Sequence, residues 1–368
     1  MPKSDKAGSG LATRRSVKRH SIALPTPRTG FPRIDLPIAP PYPPMEARLV
    51  DIIPAGGGHL FEPKWDGFRC LAFRSRDTIL LQSKAGHPLG RYFPEIVVSL
   101  GELPADRFVL DGEIVIFAKR ILSFEDLLQR VHPAESRVRR LSISTPATLM
   151  CFDLLVDDGG RSLAQLPLSQ RRRMLEKFFR PVARSGRVRL SPASSEIRQA
   201  RRWMRESVKM GLDGVIAKDR SEPYRSGERS GMVKVKKVRT ADCVVGGFRY
   251  AKKGREIGSL LLGLINDAGR LDHVGFTSSF TAKERKELRK VVEPLIGSRG
   301  FTGASPGGPS RWATERSSAW QPVKPKLVCE VRYSHFSGMR FRHGTKFLRW
   351  RPDKRPDQCR FAQVTGSA

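Results

Sequence analysis

Lys64-Trp65-Asp66-Gly67-Phe68-Arg69 sets an amine, a carboxylate and a guanidinium within six residues, directly after the apolar-rich stretch 59–63. The pattern suits a lysine held at the end of a strand, with a tight Asp-Gly turn that lets a phosphate come close. A lysine amine acts as a nucleophile where its surroundings leave part of it unprotonated. Taken alone, the six residues describe a solvated surface turn more readily. Five further segments, in chain order, supply what an amine attacking a phosphate needs. Ser83-Lys84-Ala85-Gly86 is a polar turn with a cation after a strand. Leu110-Asp111-Gly112-Glu113 places carboxylates where a strand begins. Phe152-Asp153 falls at the centre of a strand. Gly211-Leu212-Asp213-Gly214 leads into the apolar run that ends at Lys218. Lys234-Val235-Lys236 spaces two amines by two residues, which puts both on one face of a strand.

These segments must be carried by a sizeable fold. The chain has 368 residues, 39% of them hydrophobic, enough for two domains and a tail. Its 68 Lys and Arg against 36 Asp and Glu give a net charge of +32. An excess of that size calls for a polyanionic partner, with nucleic acid first. Basic residues are dense at 171–173, 201–205 and 283–290, so the excess is not confined to one end. No stretch has the ~20 apolar residues of a membrane span, and no lipidation signature is present. Cys70, Cys151, Cys243, Cys329 and Cys359 are dispersed, odd in number and without a C-x-x-C pair. That disfavours a zinc site or a disulfide framework and fits a reducing cytoplasm. The basic N-terminus lacks the apolar h-region of a secretory signal.

Residues 1–44 are rich in Lys, Arg, Ser and Pro and read as a basic tail, disordered at first and extended through the proline run. Residues 45–239 mix α and β. Strands are expected at 68–74, 78–83, 108–117, 148–156 and 213–218, and helices at 92–100, 169–180 and 195–210. From 240 to 356 short strands follow one another, at 242–250, 258–265, 271–278, 327–336 and 346–351. One helix interrupts them, opening on the capping box Thr281-Ala282-Lys283-Glu284. Five strands with a helix between the third and fourth is the order of an OB-fold barrel. Residues 357–368 read as a C-terminal tail.

The ordered segments, together with Arg349-Trp350-Arg351-Pro352-Asp353-Lys354, resemble the covalent nucleotidyltransferase superfamily. Within it the chain resembles the ATP-dependent DNA ligases, and most closely the small bacterial C-type ligases. The match runs from about residue 37 to 355. It implies an α+β chain: an adenylation (nucleotidyltransferase) domain with antiparallel sheets and helices, then an OB-fold β-barrel. It implies ATP as co-substrate, Mg²⁺ or Mn²⁺ as metal, and nicked double-stranded DNA as substrate. The reaction has three steps. Lys64 attacks the α-phosphate of ATP, expels pyrophosphate and becomes lysyl-AMP. The AMP passes to the 5′-phosphate of the nick. The 3′-hydroxyl then attacks that phosphate, releases AMP and seals the strand.

The resemblance also assigns roles. Glu62 belongs to the nucleotide site. Arg69 and Lys84 would bind phosphate, and Phe152 would stack on adenine. Glu113 would hold the ribose or a metal-bound water, and Asp213 would be the metal-side carboxylate. Lys234 and Lys236 would grip the α-phosphate. Arg351, Asp353 and Lys354 would orient pyrophosphate when the OB domain closes. The family more often has Arg at the place of Lys84, Glu at Asp213 and Trp at Met232. Lysine lacks the bidentate geometry of arginine, and Asp213 is one methylene shorter. A monomer at work in the cytoplasm, on the nucleoid, is implied. The role would be repair or recombination, with a repair polymerase or the Ku end-binding protein as possible helpers in trans. The basic tail would add non-specific DNA contacts.

Each residue has a plainer reading. Phe152 alone fits a core, Asp111 a turn, and Arg351 a solvated edge. His87 and His335 fit surface or satisfied polar groups, and Arg172 and Arg202 fit solvated helix faces. Two other functions share parts of the pattern. One is an RNA ligase or GTP-dependent mRNA-capping transferase, and the other is a non-catalytic nucleic-acid-binding protein.

Overall fold

The computed structural model describes residues 30–182, 186–251, 256–297, 300–307, 319–342 and 344–365. The basic residues of the expected tail at 1–29 therefore lie outside the described residues.

The N-terminal unit runs β1 (Arg48–Val50), β2 (His59–Lys64), β3 (Phe68–Ser75), β4 (Thr78–Ser83), α1 (Pro94–Gly101), β5 (Arg107–Ala118) and β6 (Ile121–Leu122). It continues α2 (Phe124–Arg130), α3 (Glu135–Ser144), β7 (Ala147–Val156), α4 (Leu168–Phe179), β8 (Val188–Leu190), α5 (Ile197–Met210), β9 (Gly214–Asp219) and β10 (Met232–Lys236). Two sheets result. A four-stranded sheet has the order β1-β10-β9-β2, and a six-stranded one has β4-β3-β5-β7-β8 with β6 beside β5. Lys64, Asp213, Lys234 and Lys236 meet because β2, β9 and β10 are neighbours: Lys64 pairs with Gly214, and Gly214 with Lys236.

Helix α5 has the spacing of an amphipathic element. Ala200 and Trp203 are buried against Phe61, Val215 and Ala217 of the small sheet, while Arg198, Arg201, Arg202 and Arg205 face solvent. The large sheet buries one face against α1 and α4. Its other face is covered by residues that the sequence places in the tail: Phe31, Ile34, Leu36, Ile38 and Tyr42 pack on Leu71, Phe73, Leu80 and Val109. The apolar residues between the prolines supply that cover.

The C-terminal unit runs β11 (Arg239–Tyr250), β12 (Ile257–Ile265), β13 (Leu271–Thr277), α6 (Ala282–Val292), β14 (Gln321–Pro322), β15 (Val328–Tyr333), β16 (Phe336–Ser337), β17 (Arg340–Phe341), β18 (Lys346–Trp350) and α7 (Ala362–Thr365). The sheet order is β13-β12-β11-β15-β18. A parallel bridge between Thr277 and Thr345 links its two outer strands and closes the barrel. Thr281 and Glu284 cap α6 reciprocally. The strand expected at 327–336 breaks after Tyr333, and β16 and β17 form a separate hairpin. The C-terminal residues are not a tail: Cys359, Phe361 and Val364 are buried in the barrel core.

His273 on β13 is 8% exposed, and its ring meets the backbone of Gly275. Burial pushes its pKa down to about 4, with Arg340 and Arg249 acting in the same direction. Between that value and the ~6.5 of an unfolded histidine the unfolded chain binds more protons, so stability falls as pH falls. Lowering pH from 7 to 4 should cost roughly 2–3 kcal/mol through this one group. Urea unfolding of the protein and of His273→Leu at both pH values measures it; equal pH dependence in the two would remove His273 as the cause.

Candidate active site

Lys64 ends β2, and the strand after the turn begins at Phe68. Gly67 is needed because β5 passes beside it: a Cβ there would lie 2.2 Å from the Ile114 carbonyl oxygen. The sequence reading gave this glycine to an approaching phosphate; in the structure it makes room for backbone. Gly214, with φ at +138°, is similarly pressed on the Val235 carbonyl oxygen, which lets β9 and β10 close around Asp213.

Glu62, Lys64, Arg69, Lys84, Glu113, Phe152 and Lys234 line a single cleft. Lys64 Nζ is 2.5 Å from Asp213 Oδ2, and Lys236 Nζ is 2.9 Å from the same oxygen. Burial works to raise the Asp213 pKa, but the charges and hydrogen bonds of Lys64 and Lys236 outweigh it and hold the carboxyl below its usual range. Lys234 has its pKa lowered, first by burial and then by the charges of Lys64, Lys236 and Lys84. Such an amine cluster favours an incoming anion. Glu113 titrates near neutrality, pushed up to about 7 by burial against the pull of Lys64 and Arg69.

Phe152 is buried, yet it belongs to none of the apolar clusters. Arg69 Cζ lies 4.7 Å from the centre of its ring, and Lys218 Nζ 4.4 Å from it. Cation–π attraction from both side chains holds the ring at the cleft wall.

Several of the expected site residues are paired within the protein. Arg69 is locked by Asp111, donating from Nε and Nη2 at 2.6 Å each, and it also bonds the Met45 carbonyl. Asp111 is therefore no turn residue. It lies in the middle of β5, fully buried, and accepts a further bond from Tyr224. Lys84 is more exposed and tethered to Glu46 at 2.8 Å. Asp213 is committed to two ammonium groups, and no group of three His, Cys, Asp or Glu side chains suited to a metal occurs among the described residues. Arg351, Asp353 and Lys354 do not line the cleft; both cations sit on Asp242 of β11.

Other residues carry no signal in the sequence. Arg171 and Arg172 are buried, not solvated. Arg171 forks onto Asp153 at 2.9 and 3.0 Å. Arg172 lies 3.7 Å from Glu62 Oε1, whose other oxygen takes Lys218 at 2.8 Å. From the C-terminal unit, Arg342 pairs with Asp66 at 2.8 Å. His335 lies between Asp66, at 3.4 Å, and Asp213, at 3.7 Å.

Residues 44–236 match the family model of the ATP dependent DNA ligase domain, and residues 253–354 that of the ATP dependent DNA ligase C terminal region. The chain is 44% identical to DNA ligase C1 of Mycolicibacterium smegmatis over 341 residues, 90% of this chain and 96% of that protein. It is 42% identical to DNA ligase C of Mycobacterium tuberculosis over 350 residues, again 90% and 96%. A solved structure from a study of DNA binding by the minimal Lig E DNA ligases shares the fold, with a TM-score of 0.52 at 17% identity, covering 84% of this chain and 99% of that one. The cleft of amines around one strand-end lysine and these matches agree: the chain belongs to the ATP-dependent DNA ligases, in their small bacterial C-type group, and joins DNA strands at the expense of ATP.

Proposed function

We propose that Lys64 is the residue that takes the AMP, and that nicked duplex DNA is sealed through that lysyl-AMP. The observation that carries the assignment is Lys64 Nζ held on Asp213 beside Lys236, in a cleft that Lys64 and Phe152 both line. Asp213 and Lys236 fix where the amine points. Lys234 and Lys236 would bind the α-phosphate, and Lys84 would swing from Glu46 to a phosphate. Arg69, already spent on Asp111, would act mainly by holding the Phe152 ring, which would stack on adenine. Glu62 would face the base edge, oriented by Lys218 and Arg172.

A divalent ion fits this site only as a shared one. Mg²⁺ keeps waters and takes one or two carboxylates plus substrate phosphates. Glu113 has no ion-pair partner among the described residues and would be the first protein ligand, with Asp213 second once Lys64 has reacted. The ion would offset charge on the phosphates.

Residues 45–239 would work as the adenylation domain and 240–356 as the OB domain, with the packed residues 357–365 belonging to the latter. Arg351, Asp353 and Lys354 would orient pyrophosphate after the OB domain turns toward the cleft. Repair is the favoured setting, because non-homologous end joining LigD proteins are among the relatives; Ku or a polymerase would then help in trans. The buried, unpaired thiols among the described cysteines fit a reducing compartment, and the charge of +32 fits residence on the nucleoid as a monomer.

Incubation with labelled ATP or GTP, followed by denaturing electrophoresis and peptide mass spectrometry, tests the assignment. AMP on the peptide containing Lys64 is the expected result. An adduct from GTP alone, or AMP on another residue, would overturn it.

A further inference from the structure

The Asp242 side chain carries one cation on each oxygen. Arg351 Nη1 is 2.9 Å from Oδ1, and Lys354 Nζ is 2.5 Å from Oδ2. The backbone of the same residue is held just as closely. Gln363 Oε1 accepts from the Asp242 N–H at 2.9 Å, and Gln363 Nε2 donates to the Asp242 carbonyl at 2.9 Å. Strand pairing explains why an amide side chain is there. β12 pairs with β11 only from Val244 onward, so Asp242 has no strand neighbour on that side. Its peptide groups are largely buried and need partners. Gln363 supplies both with one amide and stands in for the missing strand. Helix α7 can hold Gln363 there because Phe361 and Val364 are anchored in the barrel core.

We propose that Gln363 and Asp242 are positioning residues for the lysine-adenylylation step: Gln363 fixes Asp242, and Asp242 fixes Arg351 and Lys354 as a preset pair of cations. This rests on the reading that Arg351 and Lys354 orient pyrophosphate. A free lysine or arginine side chain loses rotamer freedom when it is ordered. Cations already ordered on Asp242 meet the phosphates without that cost at the moment of closure. All four residues lie in one unit, so the arrangement travels intact when that unit turns. Sealing of a nick that already carries AMP on its 5′-phosphate releases no pyrophosphate, and it should not need the arrangement.

The test compares two rates for Gln363→Ala, Asp242→Asn and Arg351→Ala: lysyl-AMP formation from ATP, and sealing of a pre-adenylylated nick. Thermal unfolding of each variant is measured alongside. Gln363→Ala and Asp242→Asn should slow the first rate by on the order of 10- to 100-fold, as a misplaced group does, and leave the second within about twofold. Losses of equal size in both rates would mark the contacts as structural only and overturn the proposal. So would unchanged adenylylation in Gln363→Ala and Asp242→Asn when Arg351→Ala is impaired. Full adenylylation by Arg351→Ala would instead overturn the underlying role of the C-terminal cations, and the positioning role with it. Should Asp242→Asn fail to fold, Gln363→Ala decides, since its own side chain carries no charge to leave unpaired.

Discussion

Lys64→Ala should form no lysyl-AMP and should lose strand sealing with ATP by at least ~10³-fold, the scale on which loss of a covalent nucleophile acts. The fold should survive the change. Lys64 shares Asp213 Oδ2 with Lys236 at 2.9 Å, so removing one amine leaves that carboxylate paired. DNA binding should also survive, because it sums many phosphate contacts on a chain of net charge +32 and falls with salt in proportion to their number. Lys64→Arg should behave like the alanine variant: the charge on Asp213 is kept, but a guanidinium is not a nucleophile at neutral pH. Nick sealing and salt-dependent fluorescence anisotropy, run on the same preparations, separate the two properties. Sealing with ATP by Lys64→Ala would end the assignment. Binding lost together with sealing would mean that the cleft itself, and not the dispersed basic surface, holds the DNA.

Arg171→Leu should destabilise the N-terminal unit by about 3–5 kcal/mol, the range for breaking a buried ion pair from one side. Asp153 is buried on β7 and receives two bonds from this guanidinium. Arg171 also donates to the carbonyls of Leu166 and Glu222. Without it the carboxylate keeps only the bond from the Leu154 N–H, and the Leu166 carbonyl loses a donor. Combining Arg171→Leu with Asp153→Leu should recover part of the loss, because no unpaired charge is left behind. Urea unfolding of the two single variants and the double variant closes the cycle. A single-variant loss under about 1 kcal/mol would mean that water reaches Asp153. Phe152 is the chain neighbour of Asp153, so the same variant should also raise the KM for ATP.

How much of this could be read in advance differs from residue to residue. Lys64 at a strand end was legible because a run of apolar residues and an Asp-Gly turn bracket it locally. The Lys234 and Lys236 pair was legible because period two on a strand leaves no other geometry. The barrel followed from strand order and the capping box at Thr281. Phe152 was ambiguous from its own surroundings, and the cations that meet its ring come from β3 and β9, far away in the chain. Asp111 looked like a turn residue because Asp-Gly usually is one; its partner Arg69 lies on the neighbouring strand.

The order of chemically apt residues, the helix and strand periods and the charge excess were properties of the sequence alone, since each depends on neighbours within a few positions. Which charges are spent on one another was decided by the tertiary structure. Arg69 goes to Asp111, Arg171 to Asp153, and Arg351 and Lys354 to Asp242. The same is true of the last helix, which reads as a tail until the barrel core takes up Phe361 and Val364. Coulomb attraction and burial act through a few ångströms of space, and the fold alone sets which residues share that space.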